Sequence, residues 1–89
     1  MTMSMARAKY EEKGGHFFDR RTMRFWGSRI ESELYQNRCF ITSEKNYDGS
    51  KRYYNVRRFS DDFSSIEDVA EFNQITSKKL AQSIAKEVK

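Results

Sequence analysis

At 89 residues the chain is one domain's worth of sequence, and a domain of that size has only a modest core. Its rings (15% aromatic) exclude a disordered polymer, and one cysteine, Cys39, excludes an internal disulfide framework. The formal charge of +4 is uneven: residues 1–60 hold 13 Lys/Arg against 7 Asp/Glu, and residues 61–89 hold 4 against 6. The basic front is therefore the half expected to meet a partner.

Residues 1–15 read as a flexible N-terminal tail, polar and interrupted by Gly14-Gly15. Residues 16–89 read as a single α+β domain. A short helix is predicted over 19–27, with Asp19 as N-cap and Gly27 closing it. Met23, Trp26 and Ile30 share one helical face and are assigned to the core with Phe18. That leaves Arg21, Phe25 and Arg29 on the outer side, with Arg20 and Arg24 flanking the apolar stripe.

Residues 29–36 alternate weakly and fit a strand, and Gln36-Asn37 fits a turn. Residues 38–45, centred on Cys39-Phe40-Ile41-Thr42, form a clearer strand. Asp48-Gly49, inside Asn46–Ser50, is a strong hairpin signal. Its partner strand, Arg52–Phe59, shows Tyr54, Val56 and Arg58 on one face and Tyr53, Asn55, Arg57 and Phe59 on the other. Such a strand is expected to be partly covered on both sides. Ile66–Gln74 fits either a helix, capped by Ser64 with Glu67, or a strand. Residues 76–88 form an amphipathic helix, with Thr76 as cap and Leu80, Ala81, Ile84, Ala85 and Val88 on the sheet side. The fold class is thus a small antiparallel sheet of three to four strands, with a short N-terminal helix and a C-terminal amphipathic helix on one face.

The chemistry-bearing residues are sparse. His16 and Cys39 are each single in kind, so no metal site is expected. There is no glycine-rich phosphate loop and no cofactor motif. An enzyme is not expected, and neither is a membrane span. Two binding classes remain. In a protein-binding module, Arg21, Phe25, Arg29, Arg57 and Arg58 supply the contacts, since aromatic residues and Arg dominate interface hot spots. In a nucleic-acid-binding domain, Arg20, Arg24, Arg52, Tyr53 and Tyr54 neutralise phosphates and stack on bases.

Three blocks also occur together. They are Phe17-Phe18 with Thr22-Met23-Arg24-Phe25-Trp26 and Ser28-Arg29-Ile30; Phe40-Ile41-Thr42-Ser43-Glu44; and Arg52, Tyr54, Val56-Arg57 and Phe59. In that order, over about residues 16–85, they resemble a family of small uncharacterised proteins from bacteriophages and related mobile elements. Members of that family are richer in strand formers where this chain has Ile66–Gln74, which implies a strand there. The resemblance implies a phage accessory protein acting in the host bacterial cytoplasm. It would bind and block a host or defence-system protein, as anti-CRISPR proteins do. No catalytic residue follows from it.

Overall fold

The computed structural model describes residues 1–46 and 48–88; Tyr47, inside the expected hairpin turn, and Lys89 lie outside the described residues. The elements in chain order are α1 (Met3–Glu12), α2 (Arg20–Trp26), β1 (Arg29–Ile30), β2 (Cys39–Lys45), β3 (Arg52–Phe59), β4 (Ile66–Asp68) and α3 (Lys78–Glu87). The strands form an antiparallel sheet in the order β1-β2-β3-β4, an α+β fold of the expected class.

The centre of the fold is the β2–β3 hairpin, in register from Cys39 opposite Arg58 to Lys45 opposite Arg52. Around its turn, the Gly49 N–H donates to the Asn46 carbonyl at 3.0 Å, and Gly49 takes a φ of +75° that glycine adopts without strain. Side chains alternate across the hairpin, so the sheet has two different faces. Phe40 and Phe59 belong to one face and Ile41 and Val56 to the other, and all four are fully buried.

The first face is covered by α1 and by Phe17-Phe18. This corrects the expectation of a flexible tail at residues 1–15. Thr2 caps α1, its Oγ1 accepting the Met5 N–H at 3.2 Å, and Arg7 and Glu11 pair one turn apart. Met3, Ala6 and Tyr10 recur at helical spacing and are buried with Phe18, Phe40 and Phe59. The Tyr10 ring meets Phe18 edge-on at 5.7 Å, and its hydroxyl accepts the Phe17 N–H at 3.2 Å. Gly15 lies so close to that ring that a Cβ there would come within 2.2 Å of it. The Gly14-Gly15 pair therefore fits the chain around a core tyrosine rather than loosening a tail.

The second face is covered by α3. Ala81 and Ala85 are buried against Ile41, Val56 and Ile75, with Ile84 and Tyr54 at the margin. Its cap is Ser77, one residue later than expected, with Oγ accepting the Leu80 N–H at 3.3 Å. Leu80, assigned to the sheet-facing stripe, is instead 51% exposed. The first strand is shorter than the expected 29–36, although Gln36 and Asn37 do make a left-handed turn before β2. Ile66–Gln74 yields the strand β4 for its first three residues; the chain then bends, and Ile75 pairs with Tyr54.

Candidate functional site

On the first face the Phe core stops at Phe40, and the strands beyond it carry polar side chains. Phe40, Thr42 and Glu44 alternate along β2, opposite Arg57, Asn55 and Tyr53 of β3. Glu44 is completely buried. Its Oε1 receives the Thr42 hydroxyl at 3.1 Å, the Asn55 amide, and Arg57 Nη2 at 3.2 Å. Its Oε2 has no hydrogen-bond partner among the described residues. Arg57 is held from several sides at once: Nε donates to Thr42 Oγ1, Nη1 to Asp68, and the guanidinium lies 5.0 Å from the Phe17 ring and 5.5 Å from Phe72.

α2 and the chain after β4 close over this polar floor. Gly27, in a left-handed conformation, ends α2 as expected. Arg52 then ties that end to the sheet, Nη1 donating to the Gly27 and Ser43 carbonyls at 2.9 Å each. Asn73, at φ +56°, makes a reciprocal pair with Asn55: its N–H donates to Asn55 Oδ1 at 2.8 Å, and Asn55 Nδ2 donates to its Oδ1 at 2.9 Å. This clamp sets Phe72 against Trp26, with ring centroids 5.8 Å apart, and Phe25 also meets Trp26 edge-on at 5.0 Å.

The result is a continuous exposed aromatic surface, with Phe25 78%, Trp26 47% and Phe72 38% exposed. Trp26 is therefore not a core residue, which corrects its assignment to the buried face with Met23 and Ile30. Those two do pack against the Phe core, but Trp26 sits beyond its end, over polar side chains. Two depressions flank the rings. A cleft of about 330 Å³ opens between Phe17, Trp26 and Phe72, with Arg57 and Asp68 in its lining. A wider groove of about 680 Å³ runs along Arg24, Phe25 and Lys45.

The residues singled out from the sequence do not gather into one patch. Arg21, Phe25, Arg20 and Arg24 are exposed together on α2. Arg29, in register with Ser43, lies on the opposite face of the sheet. Arg57 points inward, its side chain only 11% exposed, and is occupied by Glu44 and Asp68. Arg58 belongs to the α3 face and pairs with Glu67 at 2.9 Å. Arg52 is consumed by its backbone contacts, Tyr54 packs on the second core, and Tyr53 is half-buried. Phe72, Asp68 and Phe17 were missed as site residues. Trp26 beside Phe25, in a helix too short to bury both, was the available signal for the aromatic surface.

Cys39 is 1% exposed, and burial raises its thiol pKa, opposed by the charges of Arg58 and Arg38. His16 is exposed and bonds Asp19. No helix among the described residues is long and apolar enough to cross a membrane.

A family of unknown function, DUF7447, matches residues 2–86. The chain belongs to that family. The match takes in α1, so the DUF7447 domain includes the segment expected to be a tail. It also spans both walls of the cleft, from Phe17 on one side to Phe72 on the other. No curated protein and no solved structure matched this DUF7447 chain.

Proposed function

We propose that the chain is a non-enzymatic phage accessory protein that binds and inhibits a host or defence-system protein in the bacterial cytoplasm, an anti-CRISPR-like role falling within that class. The observation that carries the binding part is the exposed Phe25–Trp26–Phe72 surface beside Arg20, Arg21 and Arg24. Contiguous exposed rings are unfavourable in water and mark interaction sites on soluble proteins. Trp and Arg are also the residues on which interface energy concentrates. The phage and anti-defence part rests on the three-block resemblance. The binding set becomes Arg20, Arg21, Arg24, Phe25, Trp26 and Phe72; Arg29, Arg57 and Arg58 leave it because they face elsewhere or are paired.

The test is affinity capture from bacterial host lysate with the wild-type chain and with Phe25→Ala. Phe25 is 78% exposed, so its removal should change stability by no more than about 0.5 kcal/mol. A specific protein retained by the wild type and lost with the variant is the expected result. Identical captures, or none, would refute the reading.

Nucleic acid is the second reading, favoured by the exposed guanidinium groups of α2 next to rings able to stack on bases. Binding to generic DNA or RNA that falls steeply with added salt would favour it; no binding at low salt would eliminate it.

A further inference from the structure

We infer that the smaller cleft, lined by Phe17, Trp26, Phe72, Arg57 and Asp68, receives a cationic side chain, Arg or Lys, from the partner protein. The inference rests on the protein-binding reading and names the chemistry of its central contact. Arg57 and Asp68 line the cleft, and Glu44 lies buried behind Arg57. Glu44 and Asp68 both bond Arg57, so two carboxylates face one guanidinium and the local net charge is −1. Arg57 cannot attract an anion from outside. It is 11% exposed, and its donors already serve Thr42, Glu44 and Asp68. An incoming phosphate or carboxylate would meet a largely buried guanidinium, with three of its five N–H donors already engaged, and two like charges.

A cation meets the reverse. The Asp68 side chain remains 44% exposed, with Arg57 bonded to its Oδ1. Trp26 and Phe72 present ring surface beside it, and ring faces attract ammonium and guanidinium groups. The cleft already demonstrates that chemistry internally, since Arg57 itself lies against Phe17 and Phe72. The helix that supplies Thr22 and Trp26 to the cleft has the opposite sign. Arg20, Arg21 and Arg24 stand exposed on α2, so residues flanking the inserted cation must be acidic to avoid repulsion. The favoured ligand is therefore a segment with one basic side chain between acidic neighbours.

The experiment needs no identified partner. The full chain, isotope-labelled, is titrated by NMR with three blocked pentapeptides: Asp-Asp-Arg-Asp-Asp, Asp-Asp-Leu-Asp-Asp and Lys-Lys-Arg-Lys-Lys. Short ligands of this kind bind with a Kd of about 1 mM or weaker. The first peptide should shift the Trp26 indole N–H and the Asp68 and Ser28 amides at lower concentration than either of the others. Asp68→Asn should weaken that response by about tenfold, with the dispersion of the spectrum reporting that the fold is kept. If that variant does not fold, Trp26→Ala at the exposed wall serves the same purpose. Equal response to the leucine peptide, a stronger response to the lysine peptide, or no shift at the cleft would overturn the inference. A lysate capture that succeeds while the titration fails removes the cationic anchor and leaves the protein-binding reading standing.

Discussion

Arg57→Met tests whether the polar floor supports the fold as well as the site. Methionine keeps most of the aliphatic stem but deletes the guanidinium that lies against Phe17 and Phe72. Glu44, with none of its surface exposed, would be left with two neutral donors, the Thr42 hydroxyl and the Asn55 amide. Breaking a buried pair from one side costs about 3–5 kcal/mol, because the remaining charge is uncompensated. The second partner, Asp68, is 44% exposed, so losing that contact adds at most about 1 kcal/mol. A domain of this length has a total stability of about 4–13 kcal/mol, so the variant should sit close to its unfolding limit. In urea, with a slope of about 1 kcal/mol per M, the midpoint should fall by about 3 M or more. Glu44→Met combined with Arg57→Met should recover at least about half of the loss, since an apolar pair of similar size often replaces a buried ion pair at little cost. A single-variant loss below about 1 kcal/mol, or a double variant no more stable than the single, would show that the Glu44–Arg57 contact is not the buried pair described above.

Tyr10→Ala should cost about 3–5 kcal/mol in the same assay, because it removes a ring packed on Phe18 and Phe59 together with the acceptor of the Phe17 N–H. A loss under about 0.5 kcal/mol would restore the picture of a dispensable tail. In the loop before β4, hydrogen bonds from Ser64 and then Ser60 hold the Asp62 carboxyl at a pKa of about 2, below its ordinary value. A depressed carboxyl contributes stability above its unfolded pKa that is lost as pH falls toward the folded one. The NMR titration midpoint of Asp62 should therefore lie near 2 in the wild type and rise toward the ordinary range in Ser64→Ala; an unmoved midpoint would refute the assignment to Ser64.

Much of the sheet was readable because its signals are local. The Asp48-Gly49 turn and the alternation on either side of it specify the β2–β3 hairpin, and both are set by neighbours within a few residues. The two-sided cover of β3 was also legible, in the absence of a clean polar face. The α1 helix was not, because its stripe is only Met3, Ala6 and Tyr10, and what stabilises it is docking on Phe40 and Phe59, some 30 to 50 residues away in the sequence. The site failed for a related reason. Helical spacing places Trp26 with Met23 and Ile30 correctly as a direction, but it does not say how far the apolar floor extends beneath that face. The floor changes to Thr42, Glu44 and Arg57 below Trp26, and only the register of β2 on β3 reveals it. Phe72 was hidden for want of the Asn55–Asn73 clamp, a contact across 18 positions.

The order of strands in this sheet follows the order of the chain, and each strand pairs with the next. Strand pairing therefore requires only short loop closures, the regime in which small domains fold fast. Helix α1 is the exception. As the chain leaves the ribosome, α1 emerges well before the two phenylalanines it docks on. A ten-residue helix with three buried side chains is marginal alone in water. Helix α1 must thus wait for β3, and until Phe59 has emerged it stays open to proteases and chaperones. Pulse-labelling hydrogen exchange during refolding would register this as late protection of the α1 amides, after those of the central hairpin.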